Sequence, residues 1–430
     1  MTLPDARNIL TAAAVVAVVL LAGCGERARP DGPVTIVFKH ARMFGDDPVP
    51  RLIAAFEARH PGIRVKTEAL GASSDEQHQF FVINLEGARG RGAGFDVMML
   101  DVIWVPEFAR AGWLLDLTDS LAPGELAGHF PAAAEAARWN GRVWALPWNF
   151  NVGLLYYRAD LLARHGLSPP RTDAELANAV RVIQAAERDP KLDGFVWQGK
   201  QYEGLVCNAL EALWASGTTL IASTGEVLPD PARAEAALAR LRGWIDAGLS
   251  PAWVSAADEE LTRRAFGDGR AIFLRNWFYA MDLFEEPNSP VRGKVGVAPL
   301  PRLTEGVGAP GATGGSLLGV SRGSRHPEAA VALARFLASE DAQRVLAGGS
   351  VLPTRAALYA DPALVAKRPH MPAFRDLATS ARPRPLTPAY LMLSTSLQPE
   401  VSAAVVGVKS PARAVADARH QLEHALSGLR

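Results

Sequence analysis

The chain has 430 residues, with 45 Lys and Arg against 45 Asp and Glu, so its formal net charge is zero. That balance argues against nucleic acid as the main partner, which would need a local excess of basic residues. A hydrophobic content of 49% argues against a disordered chain, and two cysteines exclude a disulfide framework.

The first element in the chain is an address. Arg7 precedes an apolar run at 9–22, and these 14 residues are almost all Ala, Val and Leu. Such a run is too short to span about 30 Å of hydrocarbon but suits a signal peptide. It ends Leu21-Ala22-Gly23-Cys24, which resembles the bacterial lipoprotein box. The resemblance implies a signal peptide over 1–24 and lipidation of the Cys24 thiol, with a polar tether over 25–32. Acyl chains would then hold the protein at a membrane at about 0.8 kcal/mol per buried CH2. Cys207 would remain as the other thiol, a buried small hydrophobe. No later segment approaches 18 uninterrupted apolar residues.

The body alternates strands with helices. A β-branched run at 34–38 predicts a strand, and 50–60 predicts a helix with Leu52, Ile53 and Phe56 on one face, stopped by Pro61-Gly62. Strands at 63–67 and 95–100 flank a helical window at 76–86. This β-α-β-α-β order predicts a mostly parallel sheet covered by helices. Helical windows dominate 160–247, short strands are predicted at 271–274, 295–298 and 317–320, and helices at 327–348 and 412–429 close the chain. Two or three domains are expected from the length.

Ligands of open α/β sheets sit at the carboxyl ends of the strands. That rule singles out Asp101 and the loops near 38–47 and 148–151, although Asp101 also reads as a cap for a helix starting near Val105. Trp144, Trp148, Asn149 and Asn151 fall within eight residues, and Arg275, Asn276, Trp277 and Tyr279 follow a strand. Flat aromatic faces beside amides and carboxylates suit a sugar, with its C–H faces and paired hydroxyls. A Trp at such a place is more often core. No dinucleotide fingerprint, phosphate loop, zinc-protease motif, paired-cysteine motif or nucleophile elbow appears, so no cofactor or metal is expected. A pair of glycosidase carboxylates is a spatial feature and stays open at this level.

Several motifs together resemble one family. They include Phe56-Glu-Ala-Arg-His-Pro-Gly62, Phe95-Asp-Val-Met-Met-Leu-Asp101, Gly112-Trp-Leu-Leu-Asp-Leu117 and Gly153-Leu-Leu-Tyr-Tyr-Arg158. The long block from Gly194 to Cys207, Arg275-Asn-Trp277, the segment Gly293 to Pro301, Gly314-Gly315 and Pro383-Arg-Pro385 continue the series. In order and spacing they resemble family 1 extracellular solute-binding proteins of ATP-driven sugar importers, most of all the trehalose/maltose-binding type.

The resemblance implies an α/β, two-lobed periplasmic-binding-protein-like fold of type II, with the ligand in a cleft between lobes joined by crossing strands. Lobes are expected at 33–148 with 297–347, and at 149–296 with 348–430. Crossings are expected near 145–153, 295–300 and 348–353. The implied ligand residues are Asp46 or Asp47, Ser73, His78, Asp101, Asn151, Trp277, Ser316 and Arg384. Three of them depart from the family pattern: His78 replaces an Arg, Asn151 an acid and Ser316 a Trp. The expected role is not catalytic: a monomeric, lipid-anchored receptor captures a saccharide by hinge closure and hands it to the permease subunits of an ABC transporter. A ligand-sensing partner of a chemoreceptor or kinase uses the same chemistry, and an exported glycoside-acting enzyme is the remaining alternative.

Overall fold

The computed structural model describes residues 32–42, 47–71, 73–88, 92–303, 306–349 and 351–427. Cys24, the expected signal peptide and Asp46 lie outside them.

Three parallel strands open the fold. β1 (Val34–Ala41) pairs with β2 (Ile63–Leu70) along its whole length, and Phe38 pairs with Val97 of β3 (Val97–Asp101). The helices Val49–Arg59 and Ser74–Ala88 make the connections. Leu52, Ile53 and Phe56 recur at helical spacing, so the first helix buries one stripe. Every residue of β3 before Asp101 is buried, as expected for a central strand covered on both faces.

After a two-residue hairpin pair, β4 (Arg138–Trp139) and β5 (Arg142–Val143), comes the strand that organises the molecule. β6 runs from Ala145 to Arg158, 14 residues. Its first half pairs antiparallel with β10 (Thr313–Val320), which in turn pairs antiparallel with β3. Its second half pairs with β8 (Ala271–Trp277) and with β9 (Val295–Ala298), and β8 pairs in parallel with β7 (Asp193–Val196). The order is β2-β1-β3-β10-β6-β8-β7, with β9 also on β6.

Two hydrophobic cores flank this long strand. One gathers Ile36, Phe56, Phe81, Leu100, Phe108, Trp148, Leu317, Leu333 and Leu346. The other gathers Phe150, Leu154, Trp197, Leu210, Phe273, Phe374, Leu393 and Leu422. The main passages between them are at Trp148–Phe150, between Ala312 and Leu317, and between Leu346 and Ala347; Phe130 and Ala133 also pack into the second core, and Tyr390 into the first. The middle passage falls later than 295–300. β9 pairs with the second half of β6 and Leu300 is in the second core, so that stretch stays within one lobe. At the third passage Gln343 ties the strands together: its Nε2 donates to the Trp148 carbonyl, and its Oε1 accepts from the backbone N–H and the hydroxyl of Thr354.

Trp144 and Trp148 belong to the first core: Trp148 is fully buried, with its edge toward Phe38, and Trp144 packs against it from the rim. The aromatic density at 144–151 is therefore packing. Only Asn149 and Asn151 of that group reach the cavity described next.

Candidate functional site

A cavity of about 410 Å³ lies between the two cores, over the crossing strands. The pairing register explains which residues reach it. Ser316 of β10 is opposite both Asp101 of β3 and Asn149 of β6, Gly314 is opposite Asn151, and Gly153 of β6 is opposite Trp277 of β8. Asp101, Ser316, Asn149, Asn151 and Trp277 thus form a row across four strands, and all of them line the cavity. Gly314 and Gly315 floor it with bare backbone. Gly315 has φ +111, and a Cβ there would lie 2.3 Å from the Asn149 carbonyl oxygen.

The first lobe adds Ser73, Ser74 and Asp75 at the start of the helix Ser74–Ala88. The Ser74 hydroxyl donates to Asp101 Oδ2 at 3.1 Å. Burial, together with the Asp101 charge, holds the Asp75 carboxyl above its ordinary range. The second lobe adds Lys200, Tyr202, Glu203, Glu259, Glu260 and Tyr279. Trp277 Nε1 donates to Glu259 Oε1 at 3.2 Å, and the Tyr202 hydroxyl donates to Glu259 Oε2 at 2.5 Å. The Tyr279 hydroxyl donates to Glu260 at 2.9 Å. Carboxylates with spare lone pairs, hydroxyls and one indole therefore face one space, which is what recognition of a polyhydroxylated ligand requires.

Arg384 ties the lobes. Its Nη2 donates to Asp101 Oδ1 of the first lobe at 2.6 Å, its Nη1 to Glu203 Oε1 of the second at 2.8 Å, and its Nε to the Thr313 carbonyl at 3.1 Å. Three of its five N–H groups bond protein, on all three nitrogens, so the guanidinium braces the lobes at the cavity edge. Burial raises the Glu203 carboxyl; the Arg384 charge and the hydroxyls of Ser394 and Tyr390 pull it back without cancelling the rise.

Ser73, Asp101, Asn151, Trp277, Ser316 and Arg384 are brought together at the cavity, and two candidates are not. His78 is buried, bonded through Nε2 to Glu107 Oε2 at 2.9 Å and packed against Trp104 and Phe108. It shares the core stripe with Phe81 and Leu85, while Ser74 and Gln77 of the same helix line the cavity. Asp47 accepts from the backbone N–H of Val49 at 2.9 Å and holds the start of the next helix. Tyr202, Glu203 and Glu259 carry weaker local signals. Glu203 reads as an ordinary first-turn acid of the helix Glu203–Ala215, and Glu259 follows the helix cap Asp258. Among the described residues no group of three or more His, Cys, Asp or Glu could hold a metal, and no helix is long and apolar enough to cross a membrane.

The bacterial extracellular solute-binding protein family matches residues 46–344. This chain belongs to that family. Membership gives it a small-molecule ligand, a transporter partner and a working place outside the cytoplasm. A probable ABC transporter-binding protein of Deinococcus radiodurans is 36% identical over 338 residues, 77% of this chain and 78% of that one. A lipoprotein of Streptomyces antibioticus is 31% identical over 159 residues, 36% of this chain and 34% of that one. Among solved structures, maltose-bound MalE3 of T. maritima superposes with a TM-score of 0.84 at 36% identity, covering 91% of this chain and 99% of that one. The solute-binding protein described here shares their two-lobed α/β architecture, and its cavity lies between the lobes.

Proposed function

We propose that this solute-binding protein captures a saccharide, a disaccharide or a smaller glycoside, by closing its lobes on it and delivers it unaltered to the permease of an ABC importer. The observation that carries the reading is the row of Asp101, Ser316, Asn149, Asn151 and Trp277 across the crossing strands. It offers alternating acceptors, donors and an indole face to one space between two bodies. The maltose held by the T. maritima relative supports the ligand class. Ser316 stands where the sugar-binding type has a Trp, so one stacking face is missing and a ligand with less apolar surface is favoured. We place the bodies either side of the three passages and the protein as a monomer, tethered through lipid on Cys24.

Calorimetry against maltose, trehalose, monosaccharides and simple glycosides tests this. One or more should bind at one site per chain, and no heat from any of them would end the saccharide reading. The anchor is tested separately: Cys24→Ser should move the protein from the membrane fraction to the soluble one.

A further inference from the structure

Behind Trp277 lies a charge pair that the cavity does not use. Arg275 and Glu211 are 1% and 5% exposed. The guanidinium meets the carboxylate through two bonds, Nε to Oε2 at 2.9 Å and Nη2 to Oε1 at 2.5 Å, and its Nη1 donates to Gln198 Oε1 at 3.2 Å. Its central carbon stands 4.2 Å from the centroid of the Trp277 ring. A bidentate pair fixes the plane of a guanidinium as well as its position, and a guanidinium so fixed constrains the ring it lies over. Burial alone would lower the Arg275 pKa, but the Glu211 carboxylate outweighs it and the net shift is upward, so the guanidinium keeps its charge.

Glu211 also touches the crossing. Its Oε1 accepts the backbone N–H of Ala312 at 2.9 Å, and Gly153 donates its own N–H to the Ala312 carbonyl at 3.0 Å. A Cβ on Gly153 would lie 2.0 Å from the same Oε1 and 2.4 Å from Arg275 Nη2, so only glycine admits the pair there. Gly153 lies just past the first passage, within the second core, and Ala312 is where the chain leading to β10 leaves that core.

We infer that Glu211 is a positioning residue: through Arg275 it sets the angle of the Trp277 indole, and through Ala312 it refers that angle to the crossing strands. The inference rests on the saccharide reading only for its choice of ligand. Any motion that shifts Ala312 against Gly153 then moves the carboxylate, and the aromatic face follows.

The test uses Glu211→Gln, which keeps an oxygen for Ala312 and removes the charge, in protein labelled with 5-fluorotryptophan. The Trp277 resonance is identified by its loss in Trp277→Phe. In the unliganded protein Glu211→Gln should displace or broaden that resonance and leave the remaining tryptophans in place. With maltose as probe, Glu211→Gln should bind about tenfold more weakly in the native background and lose nothing further in a Trp277→Ala background. Arg275→Lys keeps the charge but not the plane, and should behave alike. An unmoved Trp277 resonance, or equal losses in both backgrounds, overturns the inference. If the native protein gives no heat with maltose, that counts against the ligand, and the resonance alone decides the positioning role.

Discussion

Trp277 and Asp101 sit at opposite ends of the row that lines the cavity, and each is held by named partners. Replacing Trp277 with Ala removes the indole and the Nε1 bond to Glu259, so ligand affinity should fall by about 1–3 kcal/mol in calorimetry. An unchanged affinity would make Trp277 a packing residue. Asp101→Asn removes the charge that Arg384 bridges to Glu203, and the urea midpoint should fall by the equivalent of about 1–3 kcal/mol. Away from the cavity, His129 at the third passage and His370 in the second lobe are both lowered from 6.5 to about 3, chiefly by burial and then by a neighbouring arginine. The folded state holds them neutral, so protons favour the unfolded chain. Their contribution is intact above pH 6.5 and is lost as pH falls toward 3, by up to about 1.4 kcal/mol per pH unit for each. Urea midpoints at pH 7, 5.5 and 4.5 should drop steadily, and more shallowly in His129→Gln.

The elements show what local pattern conveys and what it does not. The β-branched runs at 34–38 and 63–67 became β1 and β2, as strand geometry prefers, and the apolar run at 95–100 became β3, the one of the three buried on both faces. Its position at a strand end singled out Asp101 for the cavity, with helix capping as the alternative, and it lines the cavity. β6 was legible only in part, since Pro147 and Gly153 read as punctuation. Its pairing with β10 shifts register between Ser316 and Leu317, whose partners are Asn149 and Pro147, leaving Trp148 as the extra residue. Such a bulge tolerates a residue without an N–H, so the strand continues through the proline. The middle passage was misplaced because a Gly- and Pro-bounded strand looks the same whether or not it crosses, and only pairing with Leu155–Arg158 tells β9 apart. His78 falls outside the cavity for a related reason: a helix turns 100° per residue, and a motif match does not say which face looks toward the cavity. At Gly315 the requirement is plain. Gly315→Ala puts a Cβ on backbone at positive φ, and stability should fall by about 1–3 kcal/mol or more in urea unfolding.

At the scale of the whole molecule, the two cores meet along the crossing strands. They are linked by the three passages, by Phe130, Ala133 and Tyr390, each of which packs in the core opposite to its chain neighbours, and by the Arg384 brace, so the lobe closure we propose would turn about Trp148–Phe150 and its neighbours. A saturating saccharide should therefore contract the radius of gyration in small-angle scattering. At 100 times its Kd it should also add about 2.7 kcal/mol to stability. A ligand that stabilises without contraction would mean that binding occurs in the conformation already described. The same three passages govern the order of assembly. β3 takes β10 as its neighbour, and β10 is supplied by residues 313–320. A nascent chain that has left the ribosome as far as β9 therefore still has β3 unzipped along one side, and neither half can finish ahead of the other. Long-range pairing of this kind makes for slow maturation, and the sheet stays unfinished until the last third of the chain is made.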